Sequence, residues 1–450
     1  MNQTTFNKIT PTKTKLRKIM VSALIAAPFA LAQTSVYAAD LYAAWQQARE
    51  YDAGLKSAQA QIKASDERSF QANAALGPSV SGSANVGESL FDTNKSSHKY
   101  SFNPSLGVQM TYPIYRLASL ETLEQSKLQV TLAQTQLAAA EQDLMLRVAQ
   151  AYFDILAAQD SIAFTQAQKR AISEQLASAK RNFEVGTQTV TDQQEAQARF
   201  DLIVAQELAA ENDLDVRKAA LMTLTGGSVD KINGLVKSAD LIAPAPNNEK
   251  AWTDQAETSN FAVLQSKIAI EIAKREITKA SLAKGPTVDL IGNANLSRAS
   301  TTVPNLQTRT ASIGLQLNVP IFTSGSLNSR EREAIVLVNK SENDLLAAQR
   351  IAMQSTRSVY KKLASGLGQI KALQQAEKSS QLALDSNQLG YKVGVRINID
   401  VLNAQQQLFS TRRDLSRARY DVLVDGLRLK QASGSLSEAD LKALSPLLQP

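Results

Sequence analysis

Leu106-Gly107-Val108-Gln109-Met110-Thr111-Tyr112-Pro113-Ile114-Tyr115 returns about 207 residues later as Ile313-Gly314-Leu315-Gln316-Leu317-Asn318-Val319-Pro320-Ile321-Phe322. In the first copy, apolar Tyr100, Phe102, Leu106, Val108, Met110 and Tyr112 alternate with polar Ser101, Asn103, Ser105, Gln109 and Thr111. In the second, Ala311, Ile313, Leu315, Leu317 and Val319 alternate with Thr310, Ser312, Gln316 and Asn318. Successive strand residues point to opposite faces, so each stretch reads as a strand with one apolar and one polar side. The polar sides carry no charge, which suits a barrel with lipid outside and water inside. A half-buried sheet in a soluble protein fits the same alternation. The partner strands fall at about 79–90 and 287–297.

The repeat extends outward from these strands. Gly77-Pro78 recurs as Gly285-Pro286, Ala44-Trp45 as Ala251-Trp252, and Phe183-Glu184-Val185-Gly186 as Tyr391-Lys392-Val393-Gly394. Asp192 matches Asp400, and Ala196-Gln197 matches Ala404-Gln405. The layout is a signal peptide over 1–38, a first repeat over 39–243, a Pro/Asn-rich linker over 244–248 and a second repeat over 249–450. Each repeat is expected to hold a first helix of roughly 36 residues ending at Gly-Pro. Two strands joined by a polar loop follow, then a long helix, a Val-Gly break and a helix of about 38 residues.

The long helices run from about Leu117 to Phe183 and from about Leu327 to Tyr391. Each would extend about 100 Å at 1.5 Å per residue. Leu123, Val130, Leu137, Leu144, Ala151 and Ala158 recur every seven residues, as a coiled-coil seam requires. Val148, Ile155 and Ile162 form a second seam, and two seams call for neighbours on two sides.

Composition agrees with long helices. Of 450 residues, 44% are hydrophobic but only 5% aromatic, a balance unlike that of a compact enzyme core. There is no cysteine, which removes disulfides, thiol catalysis, Cys-ligated metals and a lipid-anchored Cys. The net charge of +7 is misleading: Lys8, Lys13, Lys15, Arg17 and Lys18 lie in residues 1–38, which hold no acid. The remainder is close to neutral and gives no reason to expect nucleic acid. Those basic residues precede an apolar stretch, Ile19 to Ala32, and small residues at Val36-Tyr37-Ala38, the pattern of an export signal. The apolar stretch is too short to span a bilayer as an ordinary helix. The single histidine, His98, falls in the expected loop, and no nucleophile or phosphate-cradling glycine loop accompanies the aspartates. Enzymatic chemistry and a cofactor are therefore not expected. Four strands cannot close a barrel, and open edges are not tolerated in lipid. Two, three or four copies would supply roughly eight, twelve or sixteen strands, and the pattern does not choose among them. A coiled-coil structural protein without a pore is the competing reading.

Three motifs carry a resemblance. They are Ala151-Tyr152-Phe153 with Thr165-Gln166-Ala167-Gln168-Lys169, Arg181-Asn182-Phe183-Glu184-Val185-Gly186 with Thr191-Asp192, and Gly390-Tyr391-Lys392-Val393-Gly394-Val395-Arg396 with Asp400-Val401-Leu402. From Leu41-Tyr42 through Gly434-Ser435-Leu436 the chain resembles the TolC family of outer-membrane efflux and type I secretion channels. The resemblance implies a mainly α fold with a β-barrel: a homotrimer whose 12-strand barrel in outer-membrane lipid continues into a 12-helix periplasmic tunnel. It implies a periplasmic adaptor and an inner-membrane transporter of ABC, RND or MFS type as partners, and drugs or proteins as cargo. It also implies a gate at the far ends of the helices, built from Asp192, Tyr391 and Arg396, with Gln175 and Thr191 at further matching positions. Arg396 would reach an acidic or carbonyl partner, foremost Asp192, and Asp400 would form a carboxylate ring that favours cations and binds multivalent ones. Two residues depart from that pattern: Asn403 stands where a second acidic ring would sit, and Gln388 where an acid would strengthen the latch. Tyr112, Tyr115 and Phe322 are expected at the joint of strand and helix. There they would mark a lipid interface or pack a taper, with Pro113 and Pro320 ending the ladder.

Overall fold

The computed structural model describes residues 40–93, 96–227, 232–236, 243–299 and 306–449. The expected signal peptide over 1–38 lies outside them. In chain order the elements are α1 (Leu41–Tyr51), α2 (Ala53–Ala74), β1 (Ser79–Asn85), β2 (Glu88–Thr93), β3 (Ser96–Phe102) and β4 (Ser105–Tyr115). Helices α3 (Leu117–Glu184) and α4 (Val190–Thr225) and strand β5 (Gly234–Leu235) complete the first half. The second half holds α5 (Glu249–Ser259), α6 (Phe261–Leu282), β6 (Thr287–Ala299), β7 (Leu306–Asn318), α7 (Ser326–Lys392), α8 (Asn398–Ala432), α9 (Glu438–Leu444) and β8 (Leu448–Gln449).

The first helix of each repeat is broken, not continuous over 36 residues. Asp52 and Asn260 interrupt it and cap the segment that follows: Asp52 Oδ1 accepts from Leu55 N at 2.7 Å, and Asn260 Oδ1 from Ala262 N at 2.9 Å. Short polar side chains of this type favour the cap over the helix interior. The break separates two packing tasks. α1 lies against α3, α4 and α9, whereas α2 packs chiefly along α3.

β1, β4, β6 and β7 form one antiparallel sheet in the order β1-β4-β6-β7. One rung reads Val80, Met110, Gly292, Ile313, and the next Ser81, Gln109, Asn293, Ser312. Apolar and polar rungs thus alternate in one register across all four strands, until Arg309 stands opposite Leu296 on the apolar side. The apolar face is uncovered in the single chain: Ile313, Leu315 and Leu317 are 74%, 69% and 64% exposed. Among the described residues, the outer edges of β1 and β7 have no partner strand.

The expected polar loop between the first two strands contains a hairpin of its own, β2 paired with β3, and His98 lies on β3. Val86-Gly87 and Asn103-Pro104 divide the stretches that the alternation joined, since Pro104 has no amide to donate. Asn103 N instead donates to Gly87 O at 2.8 Å, which closes the base of the hairpin. Pro113 does not end the ladder either. It lies opposite Asp289, and a register shift between Pro113 and Tyr115 absorbs the missing amide. Pro320 does lie beyond the end of β7.

α3 is flanked on two sides along its length. Near its start, Gln125 Nε2 donates to Ile272 O of α6 at 3.2 Å, and Ser126 Oγ meets Ser69 Oγ of α2 at 3.2 Å. Further on, Lys169 pairs with Glu207 of α4, and Arg413 of α8 donates to Gln168 at 3.3 Å. The two-seam reading of the heptads is therefore met, with Leu144, Val148 and Ile155 fully buried.

The largest core sits at mid-height of α3. It gathers Leu41 and Trp45 of α1, Tyr152 and Phe153 of α3, Leu423 and Leu427 of α8, and Leu441 of α9. The Phe153 and Tyr420 rings stack at 6.0 Å, and the Tyr420 hydroxyl donates to Asp160 Oδ2 at 2.9 Å. Burial, with Asp160 beside it, pushes the Tyr420 phenol far above its usual range, so it remains a donor. Each such side chain contributes about 1.5–3 kcal/mol when buried. This core explains why the Ala151-Tyr152-Phe153 motif stands where it does. Strands β5 and β8 pair beside the core, and Ser437 with Asp440 forms a capping box that starts α9. Both lie outside the sequence expectation. Among the described residues no helix is long and apolar enough to cross a membrane.

Candidate gate at the helical turns

The repeat builds the same turn twice. After α3, Asn182 O accepts from Thr187 N at 2.8 Å and Gln188 N at 3.2 Å; after α7, Gly390 O accepts from Val395 N at 2.9 Å and Arg396 N at 3.1 Å. Gly186 and Gly394 take φ of +76° and +78°, the left-handed conformation that closes a helix end and that side chains resist. Gly390 has a further reason. A Cβ there would lie 2.7 Å from Arg396 Cγ, so glycine lets the arginine stem fold back across the helix.

Tyr391 joins the two hairpins. Its hydroxyl accepts from Gln188 Nε2 at 2.7 Å and from Asn182 Nδ2 at 3.4 Å. Gln175 Nε2 donates to Asn398 Oδ1, and Asn398 Nδ2 donates to Asp192 O at 3.3 Å. Asn398 is fully buried and holds α3, α4 and α8 together at one point. Five of the expected residues thus bear on this junction or its immediate flank: Gln175, Asp192, Tyr391, Arg396 and Asp400. Thr191 is exposed in the first turn of α4.

Within the chain, Arg396 does not pair with Asp192. The Asp192 carboxylate is occupied by the cap of its own helix, accepting from Thr189 N at 3.2 Å and Thr189 Oγ1 at 2.8 Å, and Asp192 N in turn donates to Thr189 Oγ1. A carboxylate in a capping box is already satisfied by orphan donors. Arg396 NH1 lies instead 3.7 Å from Asp400 Oδ2, with the two side chains 58% and 33% exposed. A pair this open is worth at most about 1 kcal/mol and leaves Arg396 free to exchange partners.

Sequence reasoning missed Asn182, Gln188, Asn398 and Arg199. Arg199 of α4 donates through NH1 to Gln406 Oε1 at 2.8 Å and through NH2 to Asn403 Oδ1 at 3.1 Å, both on α8. Its signal was available: it follows Asp192 by seven residues and so shares its helix face. Asn398 was legible only as a polar residue between Ile397 and Ile399, where it resembles an ordinary cap. Among the described residues no group of His, Cys, Asp or Glu could hold a metal ion.

Two hairpins of long helices rise into a sheet that has one apolar face and two open edges. The family described as outer membrane efflux protein matches residues 44–227 and 252–435, one match for each repeat. This chain belongs to the outer membrane efflux protein family. The outer membrane protein TolC of Vibrio cholerae serotype O1 is 31% identical over 430 residues, covering 94% of this chain and 97% of that protein. The alkaline protease secretion protein AprF of Pseudomonas aeruginosa is 28% identical over 440 residues, covering 96% and 91%. The crystal structure of the Campylobacter jejuni CmeC outer membrane channel shares the fold, with a TM-score of 0.76 at 16% identity, over 91% of this chain and 90% of that one. As a member of the efflux protein family the chain is an outer-membrane exit duct for efflux or secretion, and the family is one of channels, not enzymes. The two halves of the fold are the two halves of the family match.

Proposed function

We propose that three copies of this chain close one barrel of three four-stranded sheets in the outer membrane of a Gram-negative cell. The α3–α4 and α7–α8 hairpins then form a gated tunnel in the periplasm. The observation that carries this reading is the sheet with an uncovered apolar face, a polar opposite face and two edges unpaired among the described residues. Open edges in lipid leave backbone groups unsatisfied, so the edges call for neighbouring copies. The strands alternate in direction, so β7 of one copy meets β1 of the next antiparallel. Residues 1–38 serve as the export signal for this route.

The gate reading assigns Tyr391, Arg396, Asp192, Gln175 and Thr191 to the closed latch, and Asp400 to a carboxylate ring at the constriction. Opening is a movement of the α7–α8 hairpin against the α3–α4 hairpin. The weak Arg396–Asp400 pair supports Arg396 as the group that reaches toward a neighbouring copy. An adaptor and an inner-membrane transporter complete the route, as the efflux and protease-secretion names of the relatives suggest.

Purified mature protein in a planar lipid bilayer tests this. Small discrete conductance steps from a trimer are expected. Folded, membrane-inserted protein that gives no steps, together with no rise in the Arg396→Ser variant, would overturn the channel assignment.

A further inference from the structure

We propose that Arg199 is a further gate-holding residue, a positioning group that ties the two hairpins of one protomer independently of any neighbour. The inference rests on the reading above that opening separates α7–α8 from α3–α4.

Helices α4 and α8 touch over only a short stretch. Arg199 crosses that stretch with a fork, one arm on Asn403 and the other on Gln406. The two acceptors are three residues apart and therefore stand one above the other on the same face of α8. Arg199 itself lies three residues after Ala196 and four before Ile203, both fully buried with Leu402 in one apolar cluster. The fork thus bridges α4 and α8 at the exposed edge of an apolar seam, with a charged donor making both bonds.

The chemistry of the acceptors matters. Asn403 and Gln406 offer neutral carbonyl oxygens, so neither acceptor adds a charge. Asn403 stands where the family pattern led us to expect a second acidic ring. In this chain the position holds the α4 guanidinium and does not add negative charge beside Asp400. A planar guanidinium can hold both acceptors together; a lysine ammonium is a point charge without that fork geometry.

The test is single-channel conductance of the trimer in planar bilayers for the wild type and for Arg199→Ala, Asn403→Ala with Gln406→Ala, and all three changes together. Arg199→Ala is expected to raise the open-to-closed ratio roughly tenfold. The acceptor double change should match it, and the triple variant should go no further, since all remove one interaction. Arg199→Lys should fall between the wild type and Arg199→Ala, and Asn403→Asp should lower conductance by strengthening the fork. Should Arg199→Ala fail to insert, Arg199→Lys and Asn403→Asp carry the same comparison with opposite expected signs. An Arg199→Ala channel that conducts like the wild type while Arg396→Ser opens would overturn the proposal and leave the channel reading intact. So would effects of Arg199→Ala and the acceptor changes that simply add. A wild-type protein that makes no channel even with Arg396→Ser would instead fail the channel reading itself.

Discussion

The Gln188 amide nitrogen donates to the Tyr391 hydroxyl at 2.7 Å, joining the turn after α3 to the end of α7. Gln188 Oε1 is buried without a partner, so the side chain is held in place by this one bond from its nitrogen. Tyr391→Phe removes the acceptor and leaves a buried amide unsatisfied at both ends. The loss is about 1 kcal/mol per protomer for a neutral hydrogen bond. In the proposed trimer, three such losses acting together would shift the open-to-closed ratio roughly a hundredfold. Single-channel conductance should rise in Tyr391→Phe, and Gln188→Ala should reproduce most of the rise. Unchanged conductance in both would remove this contact from the gate.

Arg396 and Asp400 oppose each other in charge, so their separate removal should move ion selectivity in opposite directions. Arg396→Ser leaves the Asp400 carboxylate unaccompanied and should raise both conductance and cation preference. Asp400→Asn leaves the guanidinium and should lower cation preference, measured as the reversal potential in a salt gradient. Because Asn403 adds no charge nearby, block by a trivalent cation should be weak in the wild type and absent in Asp400→Asn. A shift of the same sign in both variants would mean that Asp400 does not face the aqueous path.

The architecture was largely legible in the sequence. Period-two alternation placed β4 and β7, heptads placed α3, and the repeat carried each assignment to the other half. What escaped was local punctuation. Asp52 and Asn260 fell inside the expected first helices because the helical pattern resumes after each; their capping role appears only once α1 has a different neighbour from α2. Pro113 read as a ladder end because the bulge that rescues it depends on β6. At the proposed gate, charge and aromaticity drew attention to Arg396, Asp400 and Tyr391. The amides that join the helices there, Gln188 to Tyr391 and Asn398 to Gln175 and Asp192, carry no such mark, and their role depends on a meeting of two repeats that no spacing rule predicts.

Asp421 lies on α8 with Arg417 3.9 Å away on one side, and burial raises its carboxyl above the ordinary range, with Asp425 and Asp154 adding like charge and Arg417 and Lys362 opposing. A folded-state value above the unfolded one means the native chain holds the proton more tightly. The group therefore costs stability as pH rises from the ordinary aspartate range through the folded-state value. Asp421→Asn should unfold at a higher temperature than the wild type at neutral pH, and the difference should close near pH 3, where both side chains are uncharged. A larger difference at acid pH than at neutral pH would reverse the sign and refute the account. The expected size is small, because half of the side chain faces solvent.

Arg116, the residue just before α3, grips Asp289 of β6 through two bonds, Nε to Oδ1 at 2.8 Å and NH2 to Oδ2 at 2.6 Å. The pair spans the two repeats at the joint of sheet and helices. Asp289 is buried, whereas the arginine side chain is 41% exposed. Removing the two partners should therefore have unequal effects. Arg116→Ala strands a buried carboxylate and should cost about 1–3 kcal/mol per protomer. Asp289→Ala frees a guanidinium that can turn to water and should cost less. Arg116→Ala with Asp289→Asn should recover much of the loss, because no buried charge is then left unpaired. Thermal dissociation of the detergent-solubilised assembly, followed by its electrophoretic mobility, orders the three variants. Arg116→Ala as the mildest would show that the bond does not hold the joint.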